Sequence, residues 1–166
     1  MAGDDLALWV LPFTLPIGIW VAWSDMKFMR IPNLSVLALL GVYLLIGPFA
    51  LPLDHWGWGW VVGIVVLVTG FILNMGGLIG AGDAKFAAAM APFLAQTDPR
   101  FLLLLSCACL LGAFIAHRIF GLVPAIRRHF AWQGWEQPGF PFRSDFPMGF
   151  ALIGILNFPF LFAVLP

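Results

Sequence analysis

Apolar residues fall along this chain in six stretches, residues 6–23, 34–51, 56–79, 84–96, 101–123 and 146–165, set apart by short polar or turn-forming breaks. The breaks read "SDMKFMRIPN", "PLDH", "GAGD", "TDPR" and the longer polar segment 124–145. A helix that crosses a bilayer needs about 20 predominantly apolar residues, and most of the stretches approach that length. The pattern predicts an all-α, polytopic membrane protein of about six transmembrane helices. Residues 1–166 read as a single domain, with 124–145 as a cytoplasmic loop inside it. The opening segment carries Asp4 and Asp5 where a secretion signal has Lys or Arg, and Pro12 and Pro16 interrupt its apolar part, so it is expected to remain as a span.

Composition agrees with that picture. Hydrophobic residues make up 62% of the chain and charged ones 10%, against about 25% charged in a soluble domain, and mean hydropathy is +1.00. The formal net charge is zero, which gives no basic excess for nucleic acid and no charged tail for an electrostatic partner. The positions of the charges say more than their sum. If the first helix enters from outside, Lys27, Arg30, Lys85, Arg118, Arg127, Arg128 and Arg143 fall on one side, and Arg100 alone falls opposite with Asp4, Asp5, Asp54 and Asp98. By the Lys and Arg bias of cytoplasmic loops, both termini are outside and the charged loops are cytoplasmic.

The fourth stretch is too short to span. From Asp83 to Gln96 it spans roughly 21 Å at ~1.5 Å per residue, against a hydrocarbon core near 30 Å. Asp83 is therefore expected below the cytoplasmic surface, where an ionisable group is costly and marks function. Helix parity puts Asp25 at the same face. Two carboxylates sharing a site hold a single proton between them. One can then take a proton from water while the other gives one to a scissile carbonyl, which is peptide hydrolysis without a covalent intermediate. Gly80 and Gly82 are expected to allow a sharp turn and the close approach of a substrate strand. Asp83 would lie in the first turn of a helix, where free N–H groups favour a carboxylate. Lys27 and Lys85, with Arg30, stand close in sequence to the two acids, and the lysines are expected mainly to meet anionic lipid headgroups.

Each signal taken singly has an ordinary explanation, since Gly turns and Asp N-caps join helices generally. Two other functions fit the same residues. A small ion- or proton-coupled transporter also uses intramembrane acids, although here both acids lie at one face and no inverted repeat is visible. A non-catalytic assembly factor that keeps the fold without the chemistry is the third.

The motifs also resemble a known family. "SDMKFMRIPN" resembles the Asp, basic residues and Ile-Pro-Asn that follow an early helix in type IV prepilin peptidases. "GAGDAK" resembles their Gly-x-Gly-Asp motif, shared with other intramembrane aspartic proteases such as presenilin, and "FPMGFALIG" resembles the start of their last helix. The resemblance implies that Asp25 and Asp83 are a catalytic pair, with Gly80, Gly82, Lys27, Arg30 and Lys85 supporting it or binding substrate. It implies removal of a short basic leader from prepilins with an apolar helix, at the cytoplasmic face of the bacterial inner membrane. The two-activity members carry paired Cys-x-x-Cys motifs in a cytoplasmic segment and also methylate the new N-terminus. This sequence has no Cys-x-x-Cys, so cleavage without methylation, no zinc and no S-adenosylmethionine are expected, as in the short peptidases of tight-adherence pili. Prepilin and membrane lipid are the expected partners, and no cofactor is expected.

Other residues carry smaller expectations. Cys107 and Cys109 read as small hydrophobes. Asn74 is expected to bond a neighbouring helix, and Gly59 with Gly63 and Gly76 with Gly80 have a spacing that permits close helix contact. Trp56, Trp58 and Trp60 suggest an aromatic belt at the outer interface, beside Asp54 and His55, which by themselves do not make a metal site. His117 and His129 read as interfacial anchors. Residues 125–135 read as a surface-lying amphipathic helix, or as a border of the substrate's entry path.

Overall fold

The computed structural model describes residues 2–130, 132–136 and 147–164. All regular structure among them is helical: α1 (Ala2–Phe28), α2 (Asn33–Ala50), α3 (Leu53–Met75), α4 (Ala81–Leu94), α5 (Pro99–Leu122), α6 (Pro124–Phe130), α7 (Gln133–Glu136) and α8 (Gly149–Val164). Four helices, α1, α2, α3 and α5, are long and apolar enough to cross a membrane, whereas α4 has 14 residues and α8 has 16. Outward faces carry large apolar side chains such as Leu45, Phe49, Ile64, Phe71 and Leu104, a surface that suits lipid and not water. Arg143 and Asp145 lie outside the described residues, as do the side chains of Asp4 and Asp5.

Helix ends follow from local chemistry. At the start of α5, Oδ1 of Asp98 accepts from the N–H groups of Arg100 and Phe101 at 2.7 and 3.0 Å, and Pro99 fills the first helical position. At the end of α3, Gly77 takes φ +71°, and the N–H groups of Leu78 and Gly77 bond the carbonyls of Leu73 and Asn74. That is a Schellman stop. It ends the third helix at Met75 and not at residue 79 as the apolar run suggested, so Gly76 and Gly80 are not a helix-packing pair. Asn74 serves the same loop, its Nδ2 donating to the Ile79 carbonyl at 2.8 Å and not to a neighbouring helix.

α1 runs on past the expected end at residue 23 to Phe28, which takes Asp25 into its last turn. Met29 ends the helix with φ +51°, and the extended Arg30-Ile31-Pro32 that follows is tied back by Ser24 Oγ donating to the Arg30 carbonyl at 2.9 Å.

The core gathers Val10, Val21, Leu39, Tyr43, Phe86, Phe93 and Leu156 from α1, α2, α4 and α8. α4 is its centre, with nine of its 14 residues buried. α1 packs chiefly on α8 and α2, and α4 on α3 and α2. Between α1 and α8, Thr14 Oγ1 donates to Asn157 Oδ1 at 2.8 Å in a fully buried bond. Between α3 and α4, Gly59 and Gly63 do allow close approach: a Cβ on Gly63 would stand 3.1 Å from Pro92 Cγ.

Trp58 is exposed, but Trp56 and Trp60 pack with Tyr43, and Trp56 Nε1 donates to the Tyr43 carbonyl at 3.3 Å. The aromatic cluster is therefore partly internal. Residues 125–135 do not form one surface helix. α6 and α7 fold back over the end of α5, where Trp135 is fully buried, donates from Nε1 to the His117 carbonyl at 3.1 Å and packs on the His117 ring. His117 is thus a buried packing partner and not an interfacial anchor.

Candidate active site

Two helix ends meet around a cavity of about 320 Å³. The last turn of α1 supplies Asp25, the "RIPN" segment supplies Arg30, Ile31 and Asn33, and the loop into α4 supplies Gly80, Gly82, Asp83 and Lys85. The structure thus brings together six of the seven residues singled out in the sequence. Lys27 stands apart, exposed, with Nζ over the rings of Trp23 and Phe28 at 5.9 and 5.2 Å from their centroids.

The two carboxylates sit in different surroundings. Asp25 is buried, at 5% exposure, and its Oδ2 accepts a 2.7 Å hydrogen bond from the backbone N–H of Gly149, the first residue of α8. That N–H is one of the unsatisfied donors of a helix N-terminus, whose dipole favours an anion. Asp83 lies in the first turn of α4, where its Oδ1 is buried and has no hydrogen-bond partner among the described residues. Both acids line the same cavity.

The glycines of "GAGD" act otherwise than expected. The positive-φ turn belongs to Gly77, whereas Gly80 has φ −70°. A Cβ at Gly80 would come 2.5 Å from Asp83 Oδ2, so any side chain there would displace the carboxylate. Gly82 is less constrained, since a Cβ would meet Ile31 at an ordinary 3.4 Å.

Several residues of the site were not singled out from the sequence, Gly149 and Met29 among them. Gly149 sat in "FPMGFALIG", read as the start of the last helix, but nothing local tells that its N–H meets Asp25 across 124 positions. Met29 lines the cavity in a left-handed conformation, which methionine does not advertise. Among the described residues, no three His, Cys, Asp or Glu side chains come together as metal ligands would.

Chemically, a buried carboxylate held by a backbone N–H and a second, partly unsatisfied one line a single cavity of about 320 Å³. One can accept a proton while the other donates one.

Fold and cavity together define a polytopic helical membrane protein with paired acids at one end of its bundle. Residues 13–117, which include Asp25 and Asp83, match the type IV leader peptidase family. The chain belongs to that family, and so to a family of proteases. No individual curated protein and no solved structure matches it.

Proposed function

We propose that this protein is an aspartic endopeptidase that removes the short basic leader from type IV prepilin-like proteins at the cytoplasmic face of the inner membrane, without methylating the product. The observation that carries the reading is the shared cavity of Asp25 and Asp83, within the stretch that matches the family.

In this reading the scissile peptide enters the cavity extended. One aspartate takes a proton from water as the water oxygen bonds to the scissile carbon. The other gives its proton to the carbonyl oxygen, and the C–N bond breaks as a proton passes to the leaving nitrogen. A pair that holds one proton is in the right state to begin, because two adjacent carboxylates resist double ionisation.

Sidedness is supported by the distribution of charge. Arg30 and Lys85 line the cavity, Lys27 lies two residues beyond Asp25, and α6, with Arg127 and Arg128, packs against Trp23 at the same end of α1 through Phe130. Basic residues gathered at one end face the cytoplasm. Cleavage without methylation is supported by a sequence that contains only Cys107 and Cys109 and no Cys-x-x-Cys.

The test is incubation of the purified full chain in detergent with a panel of prepilins, with Asp25→Asn and Asp83→Asn in parallel and mass spectrometry of the products. A single cut next to the apolar helix by the wild type, lost in both variants, is the expected result. Cleavage that survives either substitution overturns the assignment of the pair.

A further inference from the structure

Two apolar clefts lie near the carboxylates, and they differ in how they meet the cavity. The first, of about 370 Å³, lies between α1, α5 and α8 and includes Ile19, Met26, Ala113 and Phe150 in its lining. Phe130 and Trp132 close it at the end of α1 that bears Asp25, both packing edge-on to Trp23. Among the described residues it shares no lining side chain with the carboxylate cavity.

The second, of about 410 Å³, lies between α2, α3 and α4, with Val36 and Leu40, Ile64 and Leu67, and Ala88 and Pro92 among its walls. Lys85 lines both this cleft and the carboxylate cavity, so the two adjoin at that side chain. Its outer edge is turned to the bilayer, Ile64 being 61% and Leu67 45% exposed. From Asp83 to Pro92 along α4 is roughly 13 Å at ~1.5 Å per residue, the rise of about two and a half helical turns.

A peptidase that cuts beside a helix which stays in the membrane must hold that helix and the extended strand at once. The seat for the helix must then be apolar, open to lipid, bordered by small residues that let a second helix come close, and share a wall with the cavity of the acids. The second cleft meets all four conditions and the first fails the last. We propose that the α2–α3–α4 cleft is the docking site of the substrate's apolar helix, taking the side chains of one face of its first two to three turns. Lys85 marks the level at which the helix gives way to the strand that enters the cavity. This inference rests on the peptidase reading of the site.

The experiment places a photo-crosslinking amino acid at Leu67, and separately at Phe150 in the first cleft, in full-length Asp83→Asn protein reconstituted in phosphatidylglycerol and phosphatidylethanolamine vesicles with a prepilin. Adducts from position 67 to the apolar half of the prepilin, and none from position 150, are expected. In the active protein, Leu67→Trp should raise KM for the prepilin at least tenfold with kcat within twofold of wild type, while Phe150→Trp leaves KM unchanged. Adducts from position 150 alone overturn the proposal. So do adducts from position 67 to phospholipid or to a second copy of this chain that persist at saturating prepilin, or an unchanged KM in Leu67→Trp. Failure of the wild type to cut any prepilin would instead count against the peptidase reading, which keeps the two failures distinct.

Discussion

The backbone N–H of Gly149 donates to Oδ2 of Asp25 at 2.7 Å, joining the first residue of α8 to the last turn of α1. A charged acceptor makes this one of the stronger kinds of hydrogen bond, and it fixes which way the carboxylate faces. No side chain fits at this position, since a Cβ on Gly149 would stand 2.8 Å from Asp25 Cβ.

Gly149→Ala is therefore expected to lower prepilin cleavage at least tenfold and to destabilise the fold by about 1–3 kcal/mol, the usual cost of overpacking. Cleavage assays and thermal melting in detergent measure both. Full activity in the alanine variant would show that the contact does not orient the acid.

Asp25→Asn and Asp83→Asn should each lower kcat by roughly 10²–10⁴, the range of general acid–base catalysis. The double variant should lose little more, because residues that act as a unit are not additive. Additive losses would mean two independent roles.

Stability should move the other way at Asp83. Its Oδ1 is buried without a partner, and such an atom costs about 1–3 kcal/mol. Asp83→Ala is expected to melt higher than the wild type while failing to cut. A lower melting temperature would point to a partner that stabilises the carboxylate.

Much of this was open to sequence reading, and the omissions have physical reasons. The six apolar stretches correspond to α1, α2, α3, α4, α5 and α8, because lipid-facing helices need apolar residues all round and leave a strong signal. Asp25 and Asp83 reach one cavity as helix parity required. The ends of α1 and α3 were misplaced because they depend on backbone conformation at Met29 and Gly77, which hydropathy does not record. Trp135 and His117 looked like surface residues because aromatic and basic side chains suit both an interface and a folded cap. Gly149 was silent because a backbone N–H has no side-chain signature.

Met29 offers a test of strain beside the site. Its φ of +51° costs an L-residue about 1–2 kcal/mol, a strain that glycine would relieve while losing part of the gain to its greater freedom in the unfolded chain. Stability should rank Gly above Met above Val at this position, because β-branching disfavours positive φ most. The reverse order by thermal melting would show that the turn is not strained.

Thr14 and Asn157 tie α1 to α8 in the apolar interior. A double-mutant cycle with Thr14→Val and Asn157→Leu should give a coupling near 0.6 kcal/mol and not above about 1.7, as for other bonds between membrane helices. A coupling of zero would mean that each side chain finds another partner.

The packing of α2 has a mechanical meaning. Asp25 rides on a body made chiefly of α1 and α8, and Asp83 on one made chiefly of α3 and α4, while α2 touches both α1 and α4. The two bodies thus meet through α2, and also directly where α4 packs on α8. Leu39 and Tyr43 are fully buried on α2, with the Tyr43 ring 5.0 Å from that of Phe93 on α4. A helix with no acid in it thus helps to hold the two acid-bearing bodies against each other.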